Sequence, residues 1–484
     1  MKIITIALSI LFTLQIHAAE KVEFVANRIH SLFVFVSTIS GDSHGSQEIK
    51  ELFEKSQYNT DESKKQIVEF QDLDRTTGRF ISFENLPTER KSAINIETLV
   101  LTQSAFAKDL EDLQTRTLGL LRHDEQVSLF QILHYFEPIH EQLLWKPYHA
   151  EMERVANEFQ KKSRSANLDK MFGQVVKFYN SEWPSTQRFR ISLFPIPPSS
   201  NHSTATSYGA FESVGIIVGK NDIEGNLGVI FHEICHTFYG AQNADFQNQI
   251  SRWYLENKSP YAIPAYSWLN ETLATILGNA WFYKIESGQE PPKSWYNQPT
   301  IDGFAKALYP EVRSYLDAHK EIDQKFINKS VEIFQKTFPE AIRELDRLLS
   351  HVIIFSDSFF GPTSRIARKL ESLFFISKTK ISSPISDTNS LSILREELIP
   401  TDFMIAHWGH IVQFDTLKAN FPQLVKTINK ADKGKNVFGL FEFSGRRIIV
   451  VVLKDGEDID YLTRKLKQLK RIEKLNEFLD LDTI

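Results

Sequence analysis

The stretch Leu227–Gly240, "LGVIFHEICHTFYG", decides how the rest of the chain is read. It sets His232 and His236 four residues apart, with Glu233 directly after the first. On an α-helix, positions four apart lie on one face about a turn from each other, so both imidazoles can offer a nitrogen to one metal ion. Glu233 is rotated from His232 by roughly a hundred degrees. From there its carboxylate reaches a water in the metal's open position without being a ligand. That is the mechanical content of the HExxH pattern, here "HEICH". Zinc polarises a carbonyl and acidifies its water, and the glutamate takes the water's proton.

The residues around the motif sharpen this reading. "LGVIF" (227–231) is apolar, so the helix is expected to be buried. Buried imidazoles need partners, either ordinary hydrogen bonds or a shared metal that satisfies both together. Catalytic zinc usually takes three protein ligands and keeps a fourth position open. No histidine follows His236 until His319, which excludes the compact HExxHxxGxxH arrangement. The carboxylate choice is Glu271 in "WLNETLATILGNAWF" (268–282), an acid in an aromatic and aliphatic stretch where burial requires a partner. Asn270 or Thr275 is placed to orient it. Asp302 and Glu256 are rivals in more loop-like and surface-like settings.

"HEICH" followed 34 residues later by "NETLA" resembles the gluzincin metallopeptidases, the group that contains thermolysin-like and M1 aminopeptidase-like enzymes. The resemblance covers roughly residues 185–320. It implies a zincin-like core in which His232, His236 and Glu271 bind Zn²⁺ and Glu233 is the general base. It also implies that a strand preceding the active helix pairs with an extended peptide, a role that falls to "GAFESVGIIVG" (209–219). "YGAFES" does not reproduce the M1 GxMEN segment, so no exopeptidase subsite is carried over, and Glu212 is only a candidate for capturing a free amine.

A peptidase also needs a donor for the tetrahedral oxyanion. Tyr309, beside Pro310, is the first choice, with Tyr315 and Tyr266 as alternatives and His319 behind them. Cys235, the only cysteine, reads as a small helix-packing residue and rules out an intrachain disulfide.

The 484-residue chain as a whole is of ordinary globular composition, 42% hydrophobic and 24% charged. A net charge of -5 gives no general attraction to nucleic acid. "MKIITIALSILFTLQIHAAEK" (1–21) has a lysine, an apolar run and small residues at Ala18 and Ala19, the form of a signal peptide over 1–18. Its apolar run of about 14 residues is short for a membrane span, so no stable insertion is expected after its removal. A periplasmic or extracellular location, bacterial in character, follows for the mature chain.

Apolar spacing of three and four residues predicts a mainly helical region over 19–180. Within the core at 181–350, "RFRISLFPIP" (188–197) and "FESVGIIVG" (211–219) predict two strands, separated by a turn-prone "PSSNHSTATSYG" (198–209). A helix is expected between Pro264 and Gly288. Residues 351–484 mix helix with a strand-like "RRIIVVVLKD" (446–455). The expected fold is therefore α+β and predominantly helical, with a small sheet ahead of the active helix and a mixed α/β C-terminal region. The function it points to is an exported zinc peptidase acting on peptides or proteins. The competing readings are a zinc amidohydrolase of cell-wall peptides and a non-catalytic binding or scaffold module on the same fold. Substrate preference and oligomeric state are not legible.

Overall fold

The computed structural model describes residues 21–484 apart from 42–44, 74–77, 82–91, 166–167, 202, 221, 358–362 and 444–445. The expected signal peptide, 1–18, lies outside the described residues. The chain is a mixed α/β protein, mostly helical, with two mixed sheets. No described helix is long and apolar enough to cross a membrane.

Strand β1 (Val22–Ala26) is the first element among the described residues, and β2 (Gly78–Ile81) and β3 (Ser92–Asn95) form a separate antiparallel pair. The first mixed sheet adds β4 (Phe189–Ile196), β5 (Thr204–Tyr208) and β6 (Phe211–Ile217), in the order β1-β4-β6-β5. β1, β4 and β6 run parallel, and β5 runs antiparallel to β6. β4 and β6 are the two strands expected from composition. β5 is new: it arises inside the stretch read as a turn. Its threonines and serine alternate with Ala205 on a half-exposed end strand, where little apolar patterning is required.

The faces of this sheet explain the alternation of its residues. Val214 and Ile216 of β6 pack with Ile230, Ile234 and Phe238 of the helix Ile223–Gly240. Phe211 and Ile217, on the opposite face, pack with N-terminal helices through Phe33, Phe35 and Phe136. Each such fully buried side chain contributes about 1.5–3 kcal/mol by area. His30 ties the two layers: Nε2 lies 2.8 Å from Ser213 Oγ and Nδ1 lies 3.1 Å from Ser104 Oγ. The helices Lys146–Ser165 and Leu168–Tyr179 share the core of the Ile223–Gly240 helix, so that core draws on residues from both sides of position 180.

The C-terminal sheet contains β7 (His351–Ser356), β8 (Lys378–Ser382), β9 (Thr401–His407), β10 (Val437–Phe443), β11 (Arg446–Leu453) and β12 (Leu479–Asp480). Their order is β12-β10-β11-β9-β7-β8, parallel from β11 to β8 and antiparallel at β10 and β12. This is the mixed region expected after 350, and β11 is its "RRIIVVVL". The C-terminal region docks against the segment that contains Pro260 and Trp268. Arg447 donates to the Pro260 carbonyl at 2.6 Å, and Phe375 stacks on Trp268 with centroids 5.5 Å apart.

Candidate metal centre

Two helices build the site. The histidine helix, Ile223–Gly240, starts where the Asp222 side chain accepts the Gly225 N–H at 2.9 Å. Glu224 stands in its first turn, where the helix dipole favours an acid, and pairs with Lys162 at 2.9 Å. The glutamate helix, Ala262–Ala274, begins two residues before Pro264 and passes into a π-helical stretch, Thr275–Phe282. It ends after Ser287 with Gly288 at φ 68, a left-handed conformation that glycine adopts without strain.

The two helices meet at glycines. A Cβ on Gly278 would stand 2.4 Å from the His232 backbone nitrogen and 2.6 Å from the Gly228 carbonyl oxygen. Only a hydrogen at position 278 lets the π-helical turn lie against the backbone that carries His232. The consequence is a short reach from Glu271 to both histidines.

His232 Nε2 and His236 Nε2 are 3.0 Å apart. Glu271 Oε2 is 3.5 Å from His232 Nε2, and Glu271 Oε1 is 3.4 Å from His236 Nε2. Two ligands of a tetrahedral zinc, each about 2.0–2.1 Å from the ion, lie about 3.3 Å apart, so these spacings fit the edges of such a site. His232, Glu233 and His236 also form a group whose ligand atoms all lie within 4.8 Å of one another and could hold a metal ion. The two sets share both histidines. Rotation on the helix sends Glu233 to the side, whereas Glu271 comes from the facing helix and meets both nitrogens; the second geometry is the one that closes around a point.

The surroundings fix the ring orientations. His236 Nδ1 lies 3.2 Å from Asn270 Oδ1, which makes Nδ1 the donor and leaves Nε2 to the site. His232 is buried, and its Nδ1 has no hydrogen-bond partner. Without a metal the cluster is held by charge. Burial pushes His236 down, but the Glu271 carboxylate overcomes it and brings the pKa up to about 9. Burial pushes Glu271 up, and the two histidines overcome it, holding it well below the usual carboxylate range.

Of the residues singled out from sequence, His232, Glu233, His236 and Glu271 come together. Asn270 orients His236 rather than Glu271, and the Thr275 hydroxyl is buried with no partner. Tyr309 packs edge-on against Trp295 at 5.4 Å, on the helix Pro299–Asp317. Tyr315 donates to Asp323 at 2.8 Å, Tyr266 pairs with Ser251 at 2.9 Å, and His319 is exposed. Asp302 binds the Trp295 N–H and Lys306, and Glu256 is exposed. Cys235 is fully buried, as expected of a packing residue.

The aromatic residue at the histidines is Tyr296, which sequence reasoning passed over. Its hydroxyl donates to Glu271 Oε2 at 3.3 Å, and its ring stacks on His232 with centroids 5.7 Å apart and planes 18° apart. Burial, with Glu271 and Glu233 nearby, pushes its pKa up, so it keeps its proton. The loop carrying it has no periodicity, and only the neighbouring "SWYNQP" aromatics hinted at packing.

Glu212 is fully enclosed, and neither carboxylate oxygen has a partner. Burial, reinforced by Glu233, drives its pKa well above the usual range, so it is a neutral carboxyl inside the core. Enclosure removes it from any open subsite for a free amine.

The strand expected to pair with substrate is also corrected. β6, within 209–219, is bonded on both sides, to β4 and to β5. The open edge belongs to β5. Ser203 Oγ bonds Asn226 Oδ1 at 3.0 Å before β5, and Thr237 Oγ1 bonds the Gly209 carbonyl at 3.0 Å after it. β5 therefore runs along the histidine helix in the same sense, with Thr206 opposite the region of His232.

No family model, curated protein or solved structure matches the chain. The resemblance to gluzincins rests on the residues of the two helices.

Proposed function

We propose that the protein is an exported zinc peptidase of gluzincin type with a zincin-like catalytic core. The observation that carries the reading is the convergence of His232 Nε2, His236 Nε2 and the Glu271 carboxylate at 3.0–3.5 Å, beside Glu233. A divalent cation would satisfy both imidazole nitrogens and the carboxylate together, at spacings that fit the edges of a tetrahedral site.

His232, His236 and Glu271 hold the zinc in this reading. Zinc, when bound, supplies a Lewis acid and an acidified water. Glu233, one residue beyond His232, is placed to act as the general base for an attacking water and would return that proton to the leaving amine. The free edge of β5 receives the extended substrate by antiparallel pairing, which lays a peptide bond across the histidine helix. Tyr296 is the aromatic hydroxyl that meets the ligand set, whereas Tyr309 packs on Trp295.

The test is metal content by elemental mass spectrometry on untagged protein, with turnover on a peptide mixture. Wild type is expected to carry one zinc and cleave. Glu233→Gln is expected to keep zinc and lose turnover by about 10²-fold or more, the usual contribution of a positioned base. E233Q turning over at the wild-type rate removes the base assignment; a wild type that takes up no zinc removes the peptidase reading.

A further inference from the structure

The loop between Gly288 and Gln298 crosses to the metal centre and is tied down on both sides. The Trp295 N–H donates to Asp302 Oδ1 at 2.7 Å, and the Trp295 carbonyl accepts from Asn279 Nδ2 at 2.8 Å. Asn279 belongs to the π-helical extension of the glutamate helix, and Asp302 to the next helix. Lys306 reaches back with 2.6 Å bonds to Asp302 Oδ2 and to the Lys293 carbonyl, and its ammonium sits 5.9 Å from the Trp295 ring centroid. Pro291 and Pro292 stiffen the first half by fixing their φ angles. This is a loop with two anchors and one residue between them and the site.

That residue, Tyr296, touches two of the three residues assigned to the metal. A glutamate has three rotatable bonds, and loses freedom only if both carboxylate oxygens are placed. Oε1 of Glu271 faces His236, while Oε2 faces His232 and accepts the Tyr296 hydroxyl. The same tyrosine ring lies nearly parallel to the His232 imidazole and restricts its plane.

We propose that residues 288–298 form a strap whose Tyr296 is a positioning residue for the metal site: its hydroxyl orients Glu271, its ring orients His232, and Asp302 sets its place through Trp295. The inference rests on the zinc reading above. It also gives Asp302 a role, since that acid acts on the site at one remove. Hydrogen bonds to a ligand carboxylate typically change metal affinity about 10- to 100-fold when lost.

The experiment measures zinc dissociation constants by competition with a chromophoric chelator on the full chain, with melting of the metal-free protein alongside. Tyr296→Phe keeps the ring and removes only the hydroxyl. It is expected to weaken zinc binding about tenfold or more, with metal-free melting unchanged. Tyr296→Ala, which also removes the stack, is expected to weaken it further, and Asp302→Ala to weaken it in the same direction by releasing the strap. Y296F with the wild-type zinc affinity overturns the proposal, as does Y296F whose loss of zinc follows a matching loss of metal-free stability. A wild type that binds no zinc defeats the peptidase reading first, and the role of Tyr296 falls with it.

Discussion

Asn270 Oδ1 sits 3.2 Å from His236 Nδ1, and the next residue in the chain is Glu271, whose Oε1 lies 3.4 Å from the other nitrogen of the same ring. One helix therefore grips both nitrogens of a histidine carried by another. The pair fixes ring plane and tautomer together. Asn270→Ala is expected to leave the fold intact and weaken zinc binding about tenfold, while Asn270→Asp, which keeps the acceptor, is expected to retain it. Equal zinc affinity in N270A and wild type, measured by chelator competition, would show that the bond does not orient the ligand.

The glycine contact makes a sharper demand. Gly278→Ala places a methyl carbon 2.4 Å from the His232 nitrogen, where backbone cannot yield as a side-chain tip can. Overpacking of this kind costs about 1–3 kcal/mol. G278A is expected to melt lower and to lose zinc more readily, because the two ligand-bearing helices are forced apart. Lower melting with unaltered zinc affinity would separate the packing from the site.

Glu212 predicts a pH dependence whose sign is fixed by linkage. Its folded pKa lies above that of an exposed glutamate. Below the unfolded value both states carry the proton, and ionisation contributes nothing to the difference between them. As pH rises past that value the unfolded chain releases its proton while the fold retains it, so stability falls until the folded pKa is reached. Glu212→Gln removes this term. Its melting temperature relative to wild type is expected to climb as pH rises through the range above the ordinary carboxylate pKa. A difference that stays flat across that range would mean that the carboxyl is not held neutral in the fold.

β5 offers backbone groups along its free edge. Peptide substrates carrying a single N-methyl group at successive amides are expected to lose cleavage at alternate positions, by about tenfold per lost bond to the edge. Uniform tolerance of N-methylation would place the substrate elsewhere than on this strand.

The motif residues were legible because helical geometry is local. Four residues make a turn wherever they occur, so His232 and His236 were bound to share a face, and Glu271 stood out as an acid among apolar neighbours. The helix ending at Gly288, the strands β4 and β6 and the mixed C-terminal region were equally readable from spacing and composition. β1 was not, because its five residues sit ahead of a helical region and become a strand only by pairing with β4, more than 160 positions away. β5 was hidden for a related reason. A half-exposed end strand carries little apolar alternation, and its threonines read as turn.

By itself the sequence determined what each helix carries: two imidazoles and a glutamate on one, a second carboxylate on the other. Tertiary structure decided what those groups meet. The close approach at Gly278 brings Glu271 onto both histidines, and the strap brings Tyr296 onto Glu271 from 25 residues further along. The pairing of β6 on both sides leaves β5 as the open edge and shuts Glu212 into the core. These are relations between distant segments, set by which surfaces can be buried together, and no local spacing encodes them.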